Sequence, residues 1–281
     1  MRAEKAYKIV DCHCHVYPDK IAQKASDSIS KFYNLPVRFD GRAQTIKRLA
    51  REAGITKLII FSVATKPSQT RSINEFIASE AAECGDMFAG LGTLHPDSDD
   101  LEGDMRRLLD LGLRGVKLHP DIQGFKLDDY RCLKIYEICE REGVPVLLHT
   151  GDSRFDNSNP NRLKPLLEIF TDLKFIGAHL GGYSVWESAC EMLSGHDNFY
   201  ADCSSSLYAL TPEDALRIIR SYGADKVMFG TDFPMWEPAG ELERLFKLDL
   251  SEDELEQILW KNANKMFKLG MDKDQLGKPA Q

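Results

Sequence analysis

Tyr7-Lys8-Ile9-Val10-Asp11-Cys12-His13-Cys14-His15 is the stretch from which the rest of the chain can be read. Tyr7 to Val10 reads as a strand, and residues two apart on a strand project to the same face. His13 and His15 are therefore expected on one side, with Cys12 and Cys14 on the other, packed towards covering helices. Two imidazoles side by side at a rigid strand end make half of a transition-metal site, since neutral imidazole nitrogen suits Zn, Ni, Fe or Mn. An isolated His-x-His decides nothing by itself. What decides is that similar strand ends recur.

After His15 comes a polar segment with several aromatics, residues 16–41, too long for a simple connection. It reads as a lid or insertion with a short helix near residues 20–32. Helical and apolar runs then alternate. Apolar runs end at Val63, at Leu94 before His95, and at His119, His149, His179, Cys203 and Asp232. Helical patterns fall between them, with Pro212 at the first turn of one, and two more helices, Ala239 to Phe246 and Glu252 to Phe267, close the chain. Eight apolar strands alternating with helices predict an α/β fold with a parallel sheet. No Gly-x-Gly-x-x-Gly follows an early strand, as a doubly wound dinucleotide fold would show. Six of the seven histidines, with Lys117, Asp202 and Asp232, stand at strand C-terminal ends. A (β/α)8 TIM barrel gathers those ends at one mouth, where barrel enzymes do their chemistry. The seventh, His196, reads as a loop or cap residue.

The 281 residues suit one barrel domain, and the tail from 270 to 281 is expected to be mobile. A net charge of -8, from 36 basic and 44 acidic residues, argues against a nucleic-acid surface. No apolar run approaches the ~18–20 residues that span a bilayer. The charged start, Met1 to Ala6, lacks the core of a signal peptide, so the expected location is cytoplasmic. Seven scattered cysteines suggest no disulfide framework; Cys132 and Cys139, seven apart on one helix, read as core.

Gly-Val-Lys-Leu-His-Pro (115–120), His-Leu-Gly-Gly (179–182), Phe-Gly-Thr-Asp-Phe-Pro (229–234) and the closing Lys-Asn-Ala-Asn-Lys-Met-Phe (261–267) resemble the amidohydrolase superfamily, specifically its amidohydrolase 2 branch. That branch includes aminocarboxymuconate-semialdehyde decarboxylase-like enzymes and metal-dependent hydrolases. The resemblance implies that His13, His15, His149 and Asp232 hold one divalent metal, zinc first, with manganese, iron or nickel as alternatives. It makes His179 the acid/base beside it, with Asp232 also able to take a proton from a metal-bound water. It also implies a small-molecule substrate, and similar proteins are commonly homo-oligomers. A carboxylated Lys117 bridging a second metal is the less favoured arrangement. Otherwise Lys117 and His119 are expected to contact substrate.

Arg154, paired with Asp152, and Trp236 and Phe125 are further candidates for the substrate pocket. His95 reads as a substrate contact or a hydrogen-bonding support, Asp11 as a supporting carboxylate, and Asp202 as a residue that orients His179. Two reactions use this ligand set. Metal-activated water could attack a carbonyl of an amide or lactone, or a small carboxylated substrate could lose CO2. The chain is short for the larger decarboxylases, which favours hydrolysis. Decarboxylation would ask for cations to hold the substrate, with Lys117 and Arg154 as candidates, and the resemblance implies a catalytic arginine from the segment after strand 1 or 2, the region of Arg38 and Arg42. A non-catalytic ligand-binding barrel is the third reading; it would show a lost ligand, and none is missing.

Overall fold

The computed structural model describes residues 7–271. The expected leaderless start and all but the first two residues of the expected mobile tail therefore lie outside the described residues. Eight short parallel strands follow one another: β1 (Val10–His15), β2 (Lys57–Phe61), β3 (Phe88–Gly90), β4 (Val116–Leu118), β5 (Val146–Leu148), β6 (Phe175–Gly177), β7 (Phe199–Asp202) and β8 (Val227–Met228). β1 to β3 pair in sequence order, as do β4 to β8. Backbone hydrogen bonds cross the gap between β3 and β4, from Arg114 N to Gly90 O (2.9 Å) and from Lys117 N to Gly92 O (2.7 Å). They also join the end of β8 to β1, from Cys12 N to Phe229 O (2.9 Å) and Asp232 N to His13 O (2.8 Å). This is the TIM-barrel architecture expected from the alternation, with helices between the strands.

Strand periodicity divides the core in two. Ile59 and Phe61 pack with Leu147, Ile176 and Met228, strand residues from around the ring, as barrel filling requires. Leu58 and Ile60, one residue out of phase, join a cluster with the helix residues Ile46, Leu49 and Ile77. The helix Ala43–Glu52 shows why: its buried residues, Ala43, Ile46, Leu49 and Ala50, fall on one stripe. Helix Pro212–Tyr222 begins with Pro212 behind Thr211, whose hydroxyl accepts from Asp214 N. Cys132 and Cys139 are buried in the outer cluster, as their spacing predicted.

β1 departs from simple alternation. Asp11 pairs with Leu58 and Cys14 with Ile60, so Cys12 and His13 together face the single residue Ile59. That two-against-one register is a β-bulge, a device that re-aims side chains. It places Cys12 among the barrel-filling residues, not against the helices with Cys14. The expectation for Cys12 was wrong because strict alternation cannot see an inserted residue. His13 and His15 still come together, with their Nε2 atoms 3.3 Å apart, because His13 is the last residue of the bulge and pairing is regular from Cys14 onward.

The segment after β1 carries a longer helix than expected, α1 (Asp19–Tyr33). Its inner face buries Ala22 and Ser26, and its last turn reaches over the strand ends. Among the described residues, no helix is long and apolar enough to cross a membrane.

Candidate metal centre

Three ligand atoms meet at the mouth. His13 Nε2 lies 3.3 Å from His15 Nε2 and 3.3 Å from Asp232 Oδ1, and His15 Nε2 lies 3.5 Å from Asp232 Oδ1. All three residues are buried. The other ring nitrogen of His13, Nδ1, is 2.8 Å from Asp202 Oδ2. A carboxylate there accepts a hydrogen bond from Nδ1–H, which leaves Nε2 with its lone pair facing the cluster. The His13 lone pair and a carboxylate oxygen then face one another beside His15 Nε2, an arrangement that a proton or a cation relieves. Ligands about 2.0–2.2 Å from a tetrahedral metal are roughly 3.3–3.5 Å from each other. The observed edges fit that spacing, so the donor set suits a divalent ion.

A second pair stands beside it. His149 Nδ1 and His179 Nε2 are 3.1 Å apart. His179 Nδ1 lies 3.1 Å from the Ser204 carbonyl, an acceptor that holds its proton, so Nε2 carries a lone pair. His149 Nε2 faces Asp121 Oδ2 at 3.6 Å. His149 is thus not in the tight set with His13, His15 and Asp232 that the resemblance implied. It turns its Nδ1 into the same cavity instead. His119, Asp121 and His149 also lie close, but the His119 and His149 rings stack 3.9 Å apart at 5°. Stacked rings direct their in-plane lone pairs alongside each other, which does not converge on an ion.

The backbone aims these residues at some cost. His179 (φ 60°), Ser205 (φ 46°) and Asp232 (φ 61°) are all left-handed, a conformation unfavourable for residues with a Cβ. Each of the outer two is pinned: His179 N donates to Asp202 Oδ1 (3.1 Å) and Asp232 N to His13 O (2.8 Å). Asp11 ties β1 to β8 from behind, accepting from His13 N, Thr231 N and Thr231 Oγ1. Its supporting role is as expected. Asp202, by contrast, orients the ring of His13 and only the backbone of His179. Ser204 was the missed partner of His179, and a serine carries no signal in sequence for such a role.

Burial sets the protonation. The imidazoles of His13, His15, His119 and His149 are held well below their usual pKa by desolvation, and His179 falls to about 3. They are therefore neutral at pH 7, the form that binds metal. Asp232 is pushed up, first by desolvation, which outweighs the lowering by the Ser205 hydroxyl and the Lys117 ammonium. Lys117 is fully buried and pushed down, again by desolvation; its Nζ is 3.4 Å from His13 Nε2 and over the Phe61 ring.

A cavity of about 280 Å³ opens above, with His15, His119, His149, His179 and Asp232 at its floor. Ile29, Phe32 and Tyr33 of α1 wall it, with Val63 and Met235 opposite. The Tyr33 hydroxyl is 2.9 Å from His119 Nε2 and 3.5 Å from His149 Nδ1, a site contact missed because nothing in the segment's sequence marks Tyr33 out.

Several candidates do not line this cavity. Lys117 lies beneath it. Arg154 is committed elsewhere: Nη2 is 2.6 Å from Asp152 Oδ2, Nη1 donates to the Phe32 carbonyl, and the guanidinium covers the Phe32 ring. It straps α1 to the loop after β5. Trp236 borders a separate small cleft with Arg38 and donates to Ser205 Oγ at 2.9 Å. Arg42 faces Asp19 and Asp40. Phe125 is buried against the edge of His95, whose Nδ1 accepts from Asp97 N. His196 serves a turn, its carbonyl accepting from Phe199 N and Lys226 Nζ.

Known proteins resemble this chain throughout. The 2-amino-3-carboxymuconate-6-semialdehyde decarboxylase of Dictyostelium discoideum is 25% identical over 263 residues, which covers 76% of this chain and 71% of that protein. The gamma-resorcylate decarboxylase of Polaromonas sp. (strain JS666) is 24% identical over 287 residues, 79% of this chain and 86% of that one. The crystal structure of dihydroxybenzoic acid decarboxylase from Polaromonas sp. JS666, with bound manganese and the inhibitor 2-nitroresorcinol, superposes with a TM-score of 0.71. It is 17% identical and covers 95% of this chain and 98% of its own. These relatives do not support the preference for hydrolysis drawn from chain length; they favour the decarboxylase alternative. The family model described as Amidohydrolase matches residues 10–269, and the chain belongs to that metal-dependent family, Amidohydro_2.

Proposed function

We propose that the protein is a metal-dependent, non-oxidative decarboxylase of a small carboxylated substrate. The observation that carries this reading is the convergence of His13 Nε2, His15 Nε2 and Asp232 Oδ1 beneath a cavity walled by aromatic and aliphatic side chains. The two curated relatives, both decarboxylases, add support. His13, His15 and Asp232 would hold one divalent ion, with His149 as a further ligand from the same cavity. Zinc suits three imidazoles and a carboxylate, and manganese is bound in the similar Polaromonas structure. When bound, such an ion supplies the positive charge that a substrate carboxylate needs in a site without a free arginine or lysine on its floor.

The chain's own residues do the rest. Ile29, Phe32 and Val63 exclude water and take the apolar body of the substrate. His119 Nδ1 accepts from Ile122 N, so its Nε2–H donates to Tyr33 Oη and leaves the Tyr33 hydroxyl proton to orient the substrate. The bond from the substrate carbon to its carboxyl breaks, its electron pair stays on that carbon, and CO2 leaves. The carbon must then gain a proton. His179, neutral at rest, takes a proton from solvent water at Nε2 and passes it to the carbon, the hydroxide left behind combining with the released CO2 as bicarbonate, while its Nδ1–H stays on the Ser204 carbonyl.

The test is CO2 release from a panel of small aromatic and unsaturated carboxylic acids by protein loaded with Zn or Mn. Release that requires metal, and is lost in His179→Asn with metal content retained, is expected. Hydrolysis of lactones or amides with no CO2 from any acid would overturn the proposal in favour of hydrolytic chemistry.

A further inference from the structure

Asp232 turns Oδ1 towards His13 and His15, and its other oxygen is occupied. Ser205 Oγ donates to Asp232 Oδ2 at 2.6 Å, and Trp236 Nε1 in turn donates to Ser205 Oγ at 2.9 Å. The order of this chain is forced, because an indole N–H can only donate. Trp236 donates to one lone pair of the Ser205 hydroxyl, and because an ionised carboxylate can only accept, the hydroxyl sends its single proton to Asp232 Oδ2. Ser205 is 2% exposed and left-handed at φ 46°, so its hydroxyl has little freedom to turn elsewhere. Trp236 is itself fixed, with its ring 4.6 Å from Tyr208 and the Arg244 guanidinium 5.2 Å from its centroid.

We infer that Ser205 and Trp236 are positioning residues that restrict Asp232 to binding metal through Oδ1 alone. A carboxylate free of this pair could offer both oxygens and occupy a position that substrate needs. A hydrogen bond to Oδ2 also stabilises the ionised carboxylate that metal binding requires. The inference rests on the reading above that Asp232 is a metal ligand, and it gives Trp236 a role other than wall of the substrate pocket.

The test uses the full chain loaded with Co(II), whose d–d absorption weakens as coordination number rises. Ser205→Ala is expected to weaken metal affinity about 10–100-fold, the range for lost outer hydrogen bonds to ligands. Its Co(II) bands should weaken as the second oxygen joins. Trp236→Phe keeps an aromatic ring but not the N–H, and should shift affinity and spectrum the same way by less. The double variant should be no worse than Ser205→Ala, since the indole acts only through the serine. Trp236→Phe also carries the test alone if Ser205→Ala does not fold. Wild-type affinity and spectrum in both variants, additive losses, or a lowered melting temperature of the metal-free protein with an unchanged spectrum would each overturn the inference. Wild-type protein that takes up no metal at all would overturn the proposed function itself, and this inference with it.

Discussion

Gly230 offers a perturbation whose size can be worked out. A Cβ at this position would stand 2.9 Å from His13 Cβ, 3.3 Å from Ser204 Cβ and 3.5 Å from His13 N. Carbon atoms rest at about 3.5–4.0 Å, so Gly230→Ala must open the contact with His13 by at least about 0.6 Å. The strands cannot simply part, because Cys12 N–Phe229 O and Asp232 N–His13 O bonds of 2.9 and 2.8 Å lie to either side. Displacement therefore falls on His13, whose ring is held at 2.8 Å by Asp202 and faces Asp232 at 3.3 Å. Overpacking of this kind costs about 1–3 kcal/mol. At roughly 2–4 °C for each kcal/mol in a domain of this size, the metal-free protein should melt about 2–12 °C lower. Metal affinity should fall as well, because His13 is moved out of the set. Thermal unfolding without metal and competition with a chromophoric chelator read the two effects. Unchanged melting together with unchanged affinity would refute the close approach of β8 to His13.

Asp202→Asn preserves shape but removes the carboxylate that holds the His13 proton, and should lower metal affinity about 10–100-fold by chelator competition. Glu241 is buried with Oε2 unbonded among the described residues, and desolvation raises its pKa from 4.5 to about 7 despite Arg244. The folded state then holds the proton that the unfolded chain releases near pH 4.5. Stability should therefore fall as pH rises from about 4.5 to 7, by up to about 3 kcal/mol. Glu241→Gln should flatten that slope in denaturant titrations, with its advantage over wild type largest above pH 7. Arg154→Ala removes the strap on α1 and should speed proteolytic cleavage within residues 19–33 and raise the substrate KM; unchanged cleavage would show that α1 is held by its own packing.

Much of the barrel could be read because each of its signals is local. A buried parallel strand is a short apolar run, and a polar residue at its C-terminal end must face the mouth, so His15, His149, His179 and Asp232 announced themselves. What could not be read depends on contacts distant in sequence. The bulge that turns Cys12 inward is a property of how β1 pairs with β2. Asp152 beside Arg154 was legible, but the Phe32 carbonyl that completes the strap comes from α1, 122 residues earlier. Asp202 was rightly sensed as a support of His179, whose backbone N–H it accepts, but its bond to the His13 ring was not foreseen, since adjacency around a barrel does not give the height of a side chain. Ser204, Ser205 and Tyr33 are common residue types that act here only through three-dimensional neighbours. The preference for hydrolysis drawn from chain length finds no support in the two curated relatives, because length reports the extent of insertions and not the chemistry of the cavity floor.

The most direct test of the central claim is metal content per chain, measured by plasma mass spectrometry on protein reconstituted with Zn or Mn and freed of excess ion. The account predicts about one ion per chain in the wild type and a severe loss in His13→Ala and Asp232→Ala. No retained ion in the wild type, or full retention in both variants, would contradict it.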